Sequence, residues 1–304
     1  MSITVLRAFE RLLESGPSES RIDVFFKELG SDVSEILQEY RQAVAKENGL
    51  LRDQLQFLSD LYTKGIHIDR RDGSRVAFIY FSTVLDPLVT ALVRSRLCRM
   101  NANSIYLYDH QYMNFAFGVR HFGTTVRQTD VALMQYFDDW GVNKIITIGY
   151  SAAGFAAINR ALALNAYASV TFSPFTTFAD KHYQQDGRGN AIIDRFKKLA
   201  PDLLIDLVPL LARRDPALKL VCFYARGIPK DVWQAERVRG LPDTYALAVD
   251  LETHAILGHL IVVGTFDILM QQLAGGATVE DSVALILSRF APKSALSSAG
   301  QKPT

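Results

Sequence analysis

Cysteine is nearly missing from this sequence. Cys98 and Cys222 are the only two in 304 residues, Cys222 inside an apolar run and Cys98 between Leu97 and Arg99. Two such thiols build neither a disulfide framework nor a zinc site, and they read as buried and reduced. An excess of charge of one sign is missing too. Lys and Arg number 33 against 32 Asp and Glu, so no field draws the chain to nucleic acid or to an anionic membrane, and neither is expected as a partner. Long apolar runs are also absent. The most apolar late stretch, Ala255 to Met270, is interrupted by His259 and Asp267 and is too short for a hydrocarbon core of roughly 30 Å, so no membrane span is expected. The opening MSITVLRAFERLLESG places Arg7 and Glu10 where a signal peptide needs apolar residues, and a cytoplasmic location is the expectation. His67, His110 and His121 lack metal-ligand spacing such as H-E-x-x-H, and no metal or cofactor is implied.

Apolar residues, at 49% of the chain, are sufficient for a large core, which suits one main domain with an appendage. From Ile3 to Tyr62 they recur at helical spacing: Val33, Ile36, Leu37, Tyr40 and Val44, then Leu51, Leu55, Leu58 and Tyr62. Gly16-Pro17-Ser18 and Asn48-Gly49 read as breaks and Ser31-Asp32 as a cap. Residues 1–64 are therefore expected to form a helical arm, which either packs on the main domain or docks a partner, a second copy of the chain included.

After Gly65 short β-rich runs alternate with helical patterns, the signature of an α/β domain with a mostly parallel sheet covered by helices. Strands are expected near 66–70, 76–82, 104–109, 144–149, 168–173, 218–225 and 244–251, with helices at 84–99, 125–140, 152–163 and 230–239. Arg71-Asp72-Gly73-Ser74 predicts a hairpin joining the first two strands. The main domain extends to about residue 290, with a candidate lid at 176–216: a polar, glycine-bearing loop, then an amphipathic helix with Ile192, Ile193, Phe196, Leu199 and Leu203. Residues 291–304, rich in Ser, Ala, Pro and Lys, are expected to form a disordered tail. Tyr106, Tyr108, Tyr112, Phe115 and Phe117 form an aromatic cluster that reads as core or loop packing, or as a pocket lining.

The chemistry is carried by Ile145-Ile146-Thr147-Ile148-Gly149-Tyr150-Ser151-Ala152-Ala153-Gly154. An alcohol is a weak nucleophile, so a reactive serine must be held exposed, beside a base and beside donors for the oxyanion. A sharp strand-to-helix turn does this, provided that its flanking residues are small. Gly149, Ala152, Ala153 and Gly154 are all small. The segment resembles the nucleophile elbow of the α/β-hydrolase superfamily, G-x-S-x-G, with Gly149, Tyr150 and Ser151 matching and Ala153 at the second glycine position. The resemblance spans residues 66 to 272 as an order of elements and implies an α/β-hydrolase fold with Ser151 as nucleophile. A dinucleotide fingerprint fails because Ser151 stands at its second glycine, and a P-loop fails because Phe155-Ala156 follows the last glycine. A serine that only caps a helix remains the plain structural alternative.

The superfamily's chain order is serine, acid, histidine. His254 follows the last expected strand directly and is preferred as base over His259, which falls inside a helix pattern. Asp231, on the loop after the preceding strand, is the expected acid, with Asp250 and Glu252 in reserve. Asp231 would serve equally as a helix cap. The resemblance implies oxyanion donors at the backbone N–H of Ala152 and of Ser82 or Thr83. The expected activity is a serine hydrolase acting on an ester, thioester or amide of a small acyl substrate. An acyltransferase delivering to a sugar or alcohol, and an inactive hydrolase-fold binding or assembly module, stand as alternatives.

Overall fold

In a computed structural model of the chain, residues 57–58, 60–82, 87–111, 113–188, 190–214 and 218–290 are described. The expectations for residues 1–56, the tail at 291–304, Thr83 and Tyr112 lie outside them. The sheet has seven strands in the order β1-β3-β2-β4-β5-β6-β7. These are β1 (Ile66–Asp69), β2 (Val76–Phe81), β3 (Asn103–Leu107), β4 (Lys144–Tyr150), β5 (Ala168–Phe172), β6 (Lys219–Ala225) and β7 (Thr244–Val249). Every neighbouring pair is parallel except β1 with β3.

The expected hairpin between the first two strands does not form. β1 pairs with β3, in the register Ile66 with Leu107, and β2 lies on the far side of β3. Burial explains the exchange. β2 is apolar on both faces and almost wholly buried, so it belongs inside the sheet. β1 carries His67 and Asp69, both half-buried, and can stand at the edge. The turn at Gly73, with φ +80, is present as read, but it carries the chain across the sheet end. Asn103 holds that crossing: its side chain accepts from the Arg71 N–H at 2.9 Å and donates to the carbonyls of Ser74 and Val76.

Alternating side chains of the buried strands feed two faces. On one, Phe78, Ile146, Val170, Phe172 and Phe223 meet α1 (Pro87–Leu97), α8 (Ile256–Val262), α9 (Thr265–Ala274) and α10 (Val279–Phe290). On the other, Ile79, Ile105 and Ile145 meet α2 (Val126–Trp140) and α3 (Ala152–Ala163). Thr125 and Gln128 close a capping box at the start of α2, and Gly141 ends the helix in the left-handed conformation. The helical residues 57–58 and 60–64 seat Phe57, Leu58 and Leu61 in the first core, with Phe57 edge-on to Tyr106 at 5.1 Å. Tyr106, Tyr108 and Phe115 are buried, so these three members of the aromatic cluster are core residues. This mostly parallel sheet, clad on both faces and carrying a strand–serine–helix elbow, is the α/β-hydrolase arrangement that the resemblance implies.

Between β5 and β6 the chain forms α4 (Tyr183–Asp186), α5 (Asn190–Leu199) and α6 (Leu207–Leu211), and β6 leads into α7 (Pro229–Glu236). The amphipathic helix expected at 176–216 is α5, and its apolar face is already engaged. Ile193 and Phe196 are buried, Phe178 meets Phe196 at 5.6 Å, and Phe155 of α3 meets Phe178 at 4.5 Å. This face therefore packs, through Phe178, toward the elbow helix. Among the described residues no single helix is long and apolar enough to cross a membrane. The late apolar stretch divides into α8 and α9, which meet at 79°.

Both cysteines are free, and burial pushes the fully buried Cys222 thiol up to about 12. Since the thiolate is the reactive form, Cys222 should resist a thiol reagent at pH 8 in the native protein and react only with unfolding. Mass spectrometry of alkylated peptides along a urea series would read this, and labelling in the native baseline would contradict it.

Candidate functional site

Strand β4 delivers Ser151 into a turn with φ 54 and ψ −126, a positive-φ conformation that a non-glycine residue holds only under strain. The neighbours explain how the turn closes. A Cβ on Gly149 would lie 2.5 Å from the Ala153 carbonyl oxygen, and one on Gly154 would lie 2.7 Å from the Pro174 side chain. Strand and helix thus touch at 149, while the close approach toward the chain after β5 falls at 154. Ala153 itself is buried in the core beneath α3, which has room for its methyl group. This accounts for alanine at the second glycine position of the elbow.

His254 lies between β7 and α8, and its Nε2 is 2.9 Å from Ser151 Oγ. Its Nδ1 faces both carboxylate oxygens of Asp231, at 2.9 and 3.0 Å. Tyr150 flanks the imidazole, with ring centroids 5.2 Å apart, and its hydroxyl donates to the His254 carbonyl at 3.3 Å. Asp231 sits in the first turn of α7 with no exposed side-chain surface. Gly227 brings the acid and base loops together. Its N–H bonds to the Leu251 carbonyl at 2.9 Å, and a Cβ there would lie 2.8 Å from that same oxygen. The adjacency of β6 and β7 thus carries an acid and a base to one sheet edge beside the elbow.

The other sequence candidates are elsewhere. His259 is inside α8, while Glu252 is exposed and Asp250 faces Arg226 at 3.7 Å, so neither reserve acid stands behind the imidazole. Ser82 is a correction. Its N–H is bound to the Leu107 carbonyl at 2.9 Å and its hydroxyl to the same oxygen at 2.8 Å, so its amide is spent on the sheet and cannot serve an oxyanion. Ala152 is the first residue of α3, where an N–H has no carbonyl one turn back within its own helix.

Two groups that the sequence reading did not single out complete the surroundings. Ser173, the residue after β5, holds φ 43 and donates its hydroxyl to Asp231 Oδ2 at 2.6 Å. Arg188, between α4 and α5, donates from Nη1 to Asp231 Oδ1 and lies 3.0 Å from His254 Nδ1. Its Nε and Nη2 grip the two oxygens of Asp186 at 2.6 and 2.8 Å. A polar Phe172-Ser173-Pro174 exit from a buried strand and a lone arginine between glycines were the visible traces. Burial raises the Asp231 carboxyl, but hydrogen bonds from His254, Ser173 and Arg188 and the attraction of His254 outweigh it and hold it below the usual carboxylate range. Asp186 follows the same balance, with Arg188 and Gln234 overcoming the effect of burial.

No family model and no curated protein sequence matches the chain. Among solved structures it is similar to MenH from S. aureus, with 13% identity, a TM-score of 0.46, and coverage of 69% of this chain and 97% of that one. A capsule O-acetyltransferase of Neisseria meningitidis serogroup A shows 11% identity, a TM-score of 0.46 and coverage of 68% and 92%. Carboxyl esterase 2 from the mycorrhizal fungus Tuber melanosporum shows 12%, 0.47, and 69% and 82%. Likenesses this distant say nothing of what this chain does.

The site carries two expectations for stability. Gly149→Ala should destabilise the fold by about 1–3 kcal/mol, because the added methyl meets backbone that cannot move aside. An unchanged urea midpoint would refute that. Asp231 and Asp186 titrate lower in the folded protein than in the unfolded chain, where a carboxyl ionises near pH ~3.9. Their contribution is therefore complete above that pH and is lost as pH falls through the lower folded values. Urea unfolding across a pH series should show no slope from these groups at neutral pH and a falling stability only below about pH 4.

Proposed function

We propose that the protein is a serine hydrolase that cleaves a small ester, thioester or amide through an acyl-enzyme on Ser151. One observation supports this reading above the rest: an unbroken chain from Ser151 Oγ to His254 Nε2 at 2.9 Å and from His254 Nδ1 to Asp231 at 2.9 and 3.0 Å, with the serine strained outward at φ 54. A serine serving only as a helix cap would direct its oxygen to the first N–H groups of α3, yet Ser151 makes no such bond.

In this mechanism His254 Nε2 accepts the Ser151 proton as Oγ attacks the substrate carbonyl, and the carbonyl oxygen takes up the negative charge. The Ala152 N–H, at the positive end of α3, stabilises that oxyanion. Asp231 holds the proton on Nδ1, which leaves Nε2 free to accept, and stabilises the imidazolium that results. The imidazolium returns its proton to the leaving group as the bond to carbon breaks. Water then repeats the sequence: His254 takes a proton from the water, hydroxide adds to the acyl carbon, and Ser151 leaves as the alcohol with the proton restored.

A fluorophosphonate probe, whose phosphorus bonds to Oγ as fluoride departs, tests this directly. The wild-type protein should be labelled on Ser151, and Ser151→Ala should not be labelled. His254→Ala and Asp231→Asn should slow labelling by about 10²–10⁴-fold. Failure of the folded wild-type protein to react, or labelling that survives in Ser151→Ala, refutes the reading. With an activated ester as acyl donor, the acyl group should go to water even when alcohols are added. Dominant transfer to the alcohol would reassign the protein as an acyltransferase.

A further inference from the structure

Arg188 reaches the acid–base pair from outside the two strand-end loops that carry it. The route to it is made wholly of polar contacts. Gln234 of α7 donates from Nε2 to Asp186 Oδ2 at 2.8 Å, and its Oε1 accepts from the N–H and the hydroxyl of Thr176 at 2.8 and 2.7 Å. Asp186 holds the guanidinium on two of its nitrogens, which aims the third at Asp231 Oδ1. The guanidinium also lies over the Phe175 ring, 5.1 Å from its centroid. Asp186, Gln234, Thr176 and Asp231 are all buried, so the orientation of the fork is fixed on every side but one.

Contact with His254 Nδ1 at 3.0 Å raises a question of protons. An arginine only donates. If the proton sits on Nδ1, it faces two carboxylate oxygens favourably and one guanidinium nitrogen unfavourably. If it sits on Nε2, those signs reverse, and Nε2 could no longer accept from Ser151. Two charged oxygens at 2.9 and 3.0 Å outweigh one nitrogen at 3.0 Å, so the proton belongs on Nδ1 provided that the carboxylate keeps both oxygens on the ring. Ser173 bonds one of those oxygens and Arg188 the other.

We propose that Arg188 is a positioning residue. From the segment between β5 and β6 it fixes the plane of the Asp231 carboxylate, and through it the tautomer and orientation of His254. This inference rests on the reading of Ser151, His254 and Asp231 as a working set. It makes the packing of the β5–β6 segment on the sheet a condition for an active base, without contact between Arg188 and the reacting atoms. Lysine cannot replace it, because a single ammonium cannot grip Asp186 on two atoms and reach Asp231 as well.

The test compares the wild-type protein with Arg188→Met, Arg188→Lys and Asp186→Asn; each should lose stability, because a buried carboxylate loses a partner, so each is checked for a native circular-dichroism spectrum and a folded baseline at the assay temperature. The maximal rate of fluorophosphonate labelling should fall about ten- to a hundredfold in Arg188→Met and Arg188→Lys, as expected when a reacting pair is misplaced by a fraction of an ångström. Half-saturation by the probe should stay within about twofold, since binding is not what is lost. Asp186→Asn should reproduce the effect in weaker form. Proton NMR of ¹⁵N-histidine-labelled protein supplies the second readout: the low-field Nδ1 proton of His254 should be present in the wild-type protein and weakened or lost in both arginine variants. Folded Arg188→Met and Arg188→Lys proteins with wild-type labelling rates and an intact imidazole proton would overturn the proposal, as would a rate that rises. Should Arg188→Met fail to fold, Arg188→Lys and Asp186→Asn carry the comparison. If the wild-type protein takes no probe at all, the serine-hydrolase reading has failed, and the imidazole proton still decides whether Arg188 sets the His254 tautomer.

Discussion

A carboxylate with no exposed surface is the constraint around which this site is arranged. Burying the Asp231 charge without partners would cost several kcal/mol, and the fold answers with donors from three separate parts of the chain: Ser173 after β5, Arg188 between α4 and α5, and His254 after β7. Each donor restricts the others. The serine and the arginine leave the carboxylate one open side, and the imidazole occupies it. Ser151 completes the line because β4 lies two strands from β6 and ends at the same sheet edge.

Close backbone approach provides the geometry that those charges need. Gly149 and Gly154 let β4, α3 and the chain after β5 meet at the elbow, and Gly227 lets the loop after β6 lie against the loop after β7. The strain at Ser151 and Ser173, both at positive φ, is held by the packed strands behind them. The elbow helix is in turn covered by Phe178, Ile193 and Phe196 from the segment that carries Arg188. One insertion therefore both covers the elbow helix and supplies a charge to the site.

Much of this was legible in the letters. Continuous apolar runs such as Leu220 to Tyr224 specify strands buried on both faces, and small residues around Ser151 specify a tight turn, because both depend on near neighbours in sequence. The chain order of serine, acid and histidine pointed to Ser151, Asp231 and His254, and the structure brings these three side chains within hydrogen-bonding distance. The position of β1 was misread because a turn sequence shows that the chain reverses or crosses without showing which strand it will meet. Ser82 was misassigned for a related reason. A backbone N–H is present at every residue but proline, and only the sheet register shows that this one is already bonded.

The sequence by itself determined the sheet-and-helix alternation, the tight turn under Ser151 and the polar residues placed just past the ends of buried strands, since each follows from local steric and solvation preferences. Tertiary structure alone decided that β3 separates β1 from β2, that Ser173 and Arg188 share the oxygens of Asp231, and that α5 turns its apolar face, through Phe178, toward the elbow helix. Those outcomes depend on which distant surfaces meet when the core closes. A side chain 43 residues before Asp231 in the sequence becomes its partner only because buried charge seeks the donor that the packed elements happen to bring within reach.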